Sequence, residues 1–258
     1  MTTLRRSWLL HDLFAMTKRS VLYSIRNLDT LLTAIILPVA MMLLFVFVFG
    51  GAINVGEYDY VNYVTPAIIL MCIGYCAATT SVSIQVDMGT GIINRFRSMG
   101  VSRTCVLGGQ VAASVMRNVL STVIVILVAV LIGFRPSAGL LECGLIVLLL
   151  LAYTITFTWA ALLFGLIAKT AESASVFGFV ALLLPYLSSA FVPIETMPYA
   201  LQIFATHQPF TPITDALRSL SFGVVDKMAL IISLVWIVCL GLVAYLASLS
   251  VYKHKKQG

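Results

Sequence analysis

Charge is what this sequence has least of. Only 10% of its 258 residues are Asp, Glu, Lys or Arg, where a soluble domain carries about a quarter. So little polar surface cannot cover a water-facing globule, and a soluble fold is excluded. Catalytic chemistry is scarce as well. His11, His207 and His254 stand alone, and no His-Glu-x-x-His or paired-carboxylate arrangement occurs. A membrane metalloprotease or aspartyl protease would have no residues to work with. No Gly-x-x-x-x-Gly-Lys-Ser/Thr loop is present to cradle a nucleotide, and the run Gly50-Gly51-Ala52-Ile53-Asn54-Val55-Gly56 leads only into Glu57. We therefore expect no catalytic residue, no metal ligand and no enzyme activity. Cys72, Cys76, Cys105, Cys143 and Cys239 lie in or beside apolar segments, as packing residues do, and they form no disulfide or metal-binding framework. The N-terminus does not read as a signal peptide. Its first apolar run begins near residue 30, is as long as a bilayer is thick and has no small-residue cleavage pattern.

What is present is apolar length. Hydrophobic residues make up 60% of the chain, and the mean hydropathy is +1.04. Leu31 to Gly50, Val61 to Val86, Cys143 to Ala168 and Met228 to Tyr252 contain no charged residue. Each run can cross the hydrocarbon core, which takes about 20 residues of helix. The pattern predicts an all-α polytopic membrane protein with six transmembrane helices, near 30–50, 61–86, 111–134, 143–168, 173–193 and 228–250. Arg117 is expected close to the start of the third, where it can snorkel to the interface. Pro38 and Pro185 should bend their helices.

The formal charge of +6 does not point to nucleic acid, because the basic residues sit between apolar runs and not on one aromatic-laced face. They set the topology instead. Thirteen fall on one predicted side: Arg5, Arg6, Lys18, Arg19, Arg26, Arg95, Arg97, Arg103, Arg117, Lys169, Lys253, Lys255 and Lys256. Three fall on the other: Arg135, Arg218 and Lys227. The positive-inside rule puts both termini in the cytoplasm of a multi-pass protein of the cell membrane.

The whole chain reads as a single transmembrane domain. Residues 3–28 repeat Arg5, Asp12, Arg19 and Arg26 every seven positions, opposite Leu9, Leu10, Leu13, Phe14, Val21 and Ile25. That is an amphipathic interfacial helix, with Trp8 as an anchor. The bundle occupies 30–250, and a basic tail follows at 251–258. Two connections exceed simple turns: the cytoplasmic segment 87–104 and the outer segment 194–227. In the latter, Met197, Leu201 and Phe204, then Ile213, Leu217 and Leu220, fall at helical spacing. They predict a re-entrant hairpin of two short helices, the second capped by Thr211-Pro212. The spans carry no charge at depth, which argues against an ion-coupled carrier, and neither half repeats the other, which argues against an inverted-repeat transporter. If the chain moves a solute uphill, the energy comes from another chain. Phe45, Phe49, Tyr75, Phe177, Tyr186 and Phe191 either line a path for an apolar substrate or simply pack the helices.

Two stretches carry a resemblance. One runs Asp87-Met-Gly89-Thr90 through Ile92, Arg95, Phe96, Arg97 and Ser98 to Arg103. The other runs Phe191-Val192-Pro193, Glu195, Met197-Pro198, then His207-Gln208-Pro209, Pro212, Asp215 and Arg218. Together they resemble the permeases of ABC type-2 exporters, in particular the daunorubicin-resistance branch. The resemblance implies six helices per chain, pairing with a second copy or a similar permease, and two ATP-binding-cassette ATPase subunits that hold ATP and magnesium. This chain would hold no cofactor. It implies that Asp87, Gly89, Ile92, Arg95, Phe96 and Arg97 form the coupling surface to the ATPase. It also implies an outer hairpin marked by Pro193, Pro198, Pro209, Asp215 and Arg218. The expected function is outward transport of a drug, lipid, glycan or peptide. The competing readings are a non-transporting assembly or immunity protein and a secondary transporter.

Overall fold

The computed structural model describes residues 17–18, 28–51, 59–92 and 103–254. The regular structure among those residues is helical, with no strand. Helix α1 (Leu28–Leu43) carries Pro38 inside it and continues as a wider π-helical stretch, Leu44–Phe49. Then follow α2 (Tyr60–Gly89), α3 (Arg103–Ile132), α4 (Leu140–Ile167) and α5 (Ala171–Leu183), the last tightening into a 3-10 turn at Leu184–Leu187. Two short helices, α6 (Tyr199–His207) and α7 (Phe210–Ser221), precede α8 (Lys227–His254). Among the described residues four helices are long and apolar enough to cross a membrane: Tyr60–Gly89, Thr104–Ile132, Leu140–Ile167 and Lys227–Lys253. Ile35–Phe49 and Ala171–Leu187 are shorter apolar helices. The interfacial helix expected at 3–28 lies almost wholly outside the described residues, as do 93–102 and 255–258.

Burial explains the arrangement. α2 is the central post, packed against α1, α3, α4 and α5. From Val64 to Ile73 every side chain of α2 is buried, and the whole helix shows little amphipathic bias because neighbours surround it. α8 is its opposite, a peripheral helix packed on α4 and α7. Its Ile231, Val235, Val238, Leu242 and Leu246 are exposed, as lipid-facing side chains should be.

Small residues let α2, α4 and α5 approach closely. A methyl group added at Gly165 of α4 would lie 2.2 Å from the Ser81 carbonyl oxygen of α2. Gly74 and Gly178 sit 3.3 Å, at the position of an added Cβ, from Ala181 and Ala78. Without water to squeeze apolar faces together, such close backbone contact is the main source of packing energy between membrane helices.

Two expectations need correction. The third apolar helix begins at Arg103, not near 111. Arg117 is therefore not at the start of its helix; it lies about 21 Å along α3 at 1.5 Å per residue. Its Nη2 donates to Thr80 Oγ1 of α2 at 3.1 Å. A neighbouring helix's hydroxyl, absent from any local pattern, is among the groups that receive the guanidinium. The fifth segment is shorter than expected, because Pro185 has no N–H to continue the ladder, and the chain turns at Ser188.

Candidate functional site

Three segments meet at one end of the bundle: the start of α2, the turn between α3 and α4, and the region from Ser188 to Ser221. Gly133, with φ +123°, ends α3 there, and the Ser137 N–H donates to the Ser221 carbonyl at 2.9 Å. Gly223, at φ +73°, comes so close to Ser137 that an added Cβ would sit 3.1 Å from its carbonyl oxygen.

Residues Ser188 to Phe191 follow the helix stop at Pro185, so their carbonyls have no helical donors, yet all four residues are buried. Buried carbonyls must find partners elsewhere. The Tyr63 hydroxyl donates to the Ser189 carbonyl at 2.8 Å, and the Tyr60 hydroxyl to the Phe191 carbonyl at 3.3 Å. Gln208 Nε2 donates to the Leu187 carbonyl. Arg218 supplies the rest. Its Nη2 donates to the Ser189 carbonyl at 2.9 Å and the Ala190 carbonyl at 3.4 Å, and its Nε to the Tyr63 carbonyl at 3.3 Å. The guanidinium carbon lies 3.7 Å from the centre of the Tyr63 ring, within cation–π range. Asp215 balances the charge: Arg218 Nη1 donates to its Oδ1 at 2.9 Å and Ser189 Oγ at 2.8 Å. Burial pushes the Asp215 carboxyl above the ordinary aspartate value, against the opposing pull of Arg218 and Ser189. This constellation is a latch fastening α7 to the start of α2. Of its members, the sequence singled out Asp215 and Arg218; Tyr63 and Ser189 carried no signal of their own.

Beside the latch is a stack of rings. Phe45 lies 4.3 Å from Phe191 between ring centres, and Tyr186 lies 4.8 Å from Phe191. Phe49 joins at 5.5 Å from Phe45. Four of the six aromatic path residues thus come together, drawn from α1 and from the turn after α5. The π-helical stretch gives Phe45 and Phe49 their shared face. Phe177 packs elsewhere, 5.8 Å from both Phe157 and Phe164. Tyr75 is half-buried on α2, about 18 Å along the helix from Tyr63.

The predicted hairpin residues fall at helix starts. Pro193 precedes a 3-10 turn, Pro198 precedes α6 and Pro209 precedes α7. The expected Thr211 cap is not made. α7 starts two residues before the expected Pro212, at Phe210, and Thr211 Oγ1 instead donates back to the Ala205 carbonyl of α6 at 2.6 Å.

At the opposite end, α2 stops at Gly89, and Gly91 adopts φ +71° just beyond, the left-handed position that commonly closes a helix. Asp87 Oδ2 accepts from Gln110 Nε2 of α3 at 2.8 Å. Gly89 is exposed and Ile92 half-buried. Arg95, Phe96 and Arg97 lie outside the described residues. No group of three His, Cys, Asp or Glu able to hold a metal occurs among the described residues, and the chemistry on view is binding and packing.

Comparison with known proteins places these features in a family. The sequence profile of ABC-2 type transporters matches residues 11–222. A daunorubicin resistance ABC transporter permease protein of Streptomyces coeruleorubidus is 27% identical over 230 residues, covering 87% of this chain and 80% of that protein. A probable doxorubicin resistance ABC transporter permease protein of Mycobacterium tuberculosis is 24% identical over 214 residues, covering 82% and 77%.

Proposed function

Since the chain belongs to the ABC-2 type transporter family, we propose a mechanism that starts from its role as the membrane permease of an ATP-binding-cassette exporter. It is a multi-pass membrane protein and not itself an enzyme; ATP is hydrolysed by a separate cytoplasmic partner, where the magnesium also belongs. Beyond that, the chain crosses the bilayer six times as one domain, with α1 and α5 completing the four long helices. Both termini are cytoplasmic, the α6–α7 pair is a re-entrant hairpin on the outer face, and two copies or two similar permeases enclose the path. The meeting of 133–139 and α7 at a single end supports this topology, because Arg135 and Arg218 were expected on the same side.

The cargo is a flat, amphipathic aromatic molecule of the anthracycline kind. The observation that carries this reading is the stack of Phe45, Phe191 and Tyr186, with ring centres 4.3 and 4.8 Å apart. Phe191 is buried between Phe45 and Tyr186, so an aromatic drug would enter by exchanging one of these ring contacts for its own, with the polar groups of the latch beside it. The residues Asp87, Gly89, Ile92, Arg95, Phe96 and Arg97 would meet the ATPase at the other end. The test is to purify the complex, reconstitute it in vesicles, and follow ATP-driven daunorubicin movement by fluorescence. We expect an ATPase to copurify, drug to stimulate its hydrolysis, and Phe191→Ala to weaken stimulation by about three- to tenfold, as loss of one stacking contact should. Undiminished transport by Phe45→Ala and Phe191→Ala together would remove the rings from the path.

A further inference from the structure

In the second half of α3, Val119, Val123, Ile126 and Val130 fall at i, i+4, i+7 and i+11, which is one face of the helix. On α4, Val147, Leu151 and Thr154 repeat that spacing in the opposite direction. The two stripes do not close on each other. Between them runs a groove of about 260 Å³, with Ile73 of α2 in its lining and apolar atoms almost throughout. Even Thr154 adds little polarity, because its hydroxyl donates to the Leu150 carbonyl at 2.7 Å. Val123 and Val147 are 48% and 56% exposed, so the groove opens sideways from the bundle, and for a multi-pass protein that means into the bilayer.

Both ends of the groove are chemically marked. Beyond Val119 and Thr154, towards the middle of the bundle, come Asn118 and Ser114 on α3 and Thr158 on α4, all buried. Asn118 Nδ2 donates to the Ser114 carbonyl at 3.1 Å, and Ser114 Oγ lies 3.4 Å from Thr158 Oγ1. An apolar ligand gains nothing by passing this polar knot. At the other end Arg135 folds back onto α3. Its Nη1 donates to the Val130 carbonyl at 2.8 Å and the Phe134 carbonyl at 3.1 Å, and its backbone N–H donates to Asn62 Oδ1 at 3.0 Å. An exposed guanidinium is thereby held at the head of the valine stripe, with Nε and Nη2 left for a ligand. Glu142, the acidic residue of α4's first turn, lies about 140° round that helix from Val147 and so off the groove.

From Val119 to Val130 is about 17 Å of helix, close to one leaflet of a hydrocarbon core about 30 Å thick. We propose that the groove between α3 and α4 holds one acyl chain of an anionic phospholipid, whose phosphate pairs with Arg135. An apolar slot one leaflet long, stopped by polar groups at its deep end and headed by a cation at its shallow end, matches such a lipid in length and in charge. The chain supplies the dispersion contacts that the two helices do not make with each other. Charge-assisted bonds from a guanidinium to phosphate fix the headgroup. The topology given above makes the leaflet the outer one; the site itself is the same in either orientation.

Native mass spectrometry of the full chain, purified in detergent and titrated with phosphatidylglycerol or with phosphatidylcholine of the same chains, reads the site. One phosphatidylglycerol per chain should be retained about fivefold more tightly than phosphatidylcholine, the worth of one basic residue beside an anionic lipid. Arg135→Gln should erase that preference and Arg135→Lys should keep it. Val123→Trp fills the groove and leaves the Arg135 bonds in place, so it should release the lipid; should it not fold, Leu151→Phe does the same from the facing wall. Lysophosphatidylglycerol should compete for the site, and glycerophosphoglycerol, the same headgroup without a chain, should not. Phosphatidylglycerol should also raise the melting temperature of wild type and leave that of the filled-groove variant unchanged. Equal retention of the two lipids, or retention untouched by filling the groove, would reduce the lipid to the ordinary bilayer coat and overturn the proposal. Competition by the bare headgroup would overturn it in favour of a phosphate site. A dimer that Val123→Trp splits while lipid retention stays the same would assign the groove to a second copy, and daunorubicin held there in place of lipid would assign it to the cargo; either result sinks the lipid site.

Discussion

Arg218 shows how one residue settles a region. It answers three carbonyls, a carboxylate and an aromatic face at once, and only the rigid fork of guanidinium can do so. Its partner Asp215 gives the site a pH signature. The folded protein holds the Asp215 proton above the ordinary aspartate value of 3.8, mainly through burial. Between 3.8 and that raised value, the folded state binds a proton that the unfolded chain has released. Stability contributed by the protonated form is therefore present below 3.8 and lost as pH rises through the native pKa. Thermal unfolding in detergent should show wild type losing ground to Asp215→Asn across that window. Wild type gaining on Asp215→Asn as pH rises would mean that the Arg218 ion pair outweighs desolvation. The small residues act as singly as Arg218 does. Gly165 tolerates no Cβ, because a backbone oxygen stands in the way.

Among the elements, the α2–α4 crossing and the α2–α3 connection make separate demands. Gly165→Leu should force the first apart, costing about 1–3 kcal/mol by overpacking. The measurement is a lowered melting temperature of the purified chain, and an unchanged melt would mean that the two helices have room to shift. The α2–α3 connection should behave as a fitted joint. Phe96→Ala or Arg95→Glu should leave insertion intact while uncoupling ATP hydrolysis from transport, with Phe96 worth about 1–3 kcal/mol as an interface anchor. Shuffling Asn94 to Ser98 at constant charge tests whether those residues do more than hold their end inside. Full transport and undiminished ATPase recovery by the shuffled chain would reduce them to a charge anchor. The hairpin helices teach a different lesson. Their existence was legible in the spacing of Met197, Leu201 and Phe204 and of Ile213, Leu217 and Leu220. The start of α7 was not, and Thr211, the expected cap, bonds to α6 instead.

On the scale of the whole molecule, the topology is open to a direct check. Single cysteines near Glu57, Pro198 and Lys227 should react with impermeant reagents on intact cells, and cysteines at Arg26, Arg97 or Lys255 only after permeabilisation. External labelling at Arg97 would invert the molecule and separate its α2–α3 connection from any cytoplasmic ATPase. The sequence by itself determined the membrane class, the four long helices and the two short helices before the last one. Each depends on local composition: charge scarcity, run length, helical spacing and proline placement act within a few turns of chain. Only the tertiary structure decided that Arg117 lies deep in α3 against Thr80, and that Tyr63 and Ser189 complete the Arg218 latch. It also brought Phe45, Phe49, Tyr186 and Phe191 together while sending Phe177 elsewhere. These depend on which faces of distant helices meet, and in a bundle where nearly every face is apolar, hydrophobic pattern cannot choose between them. The choice falls to the close fit of glycine against backbone and to the few polar groups that must find one another out of water.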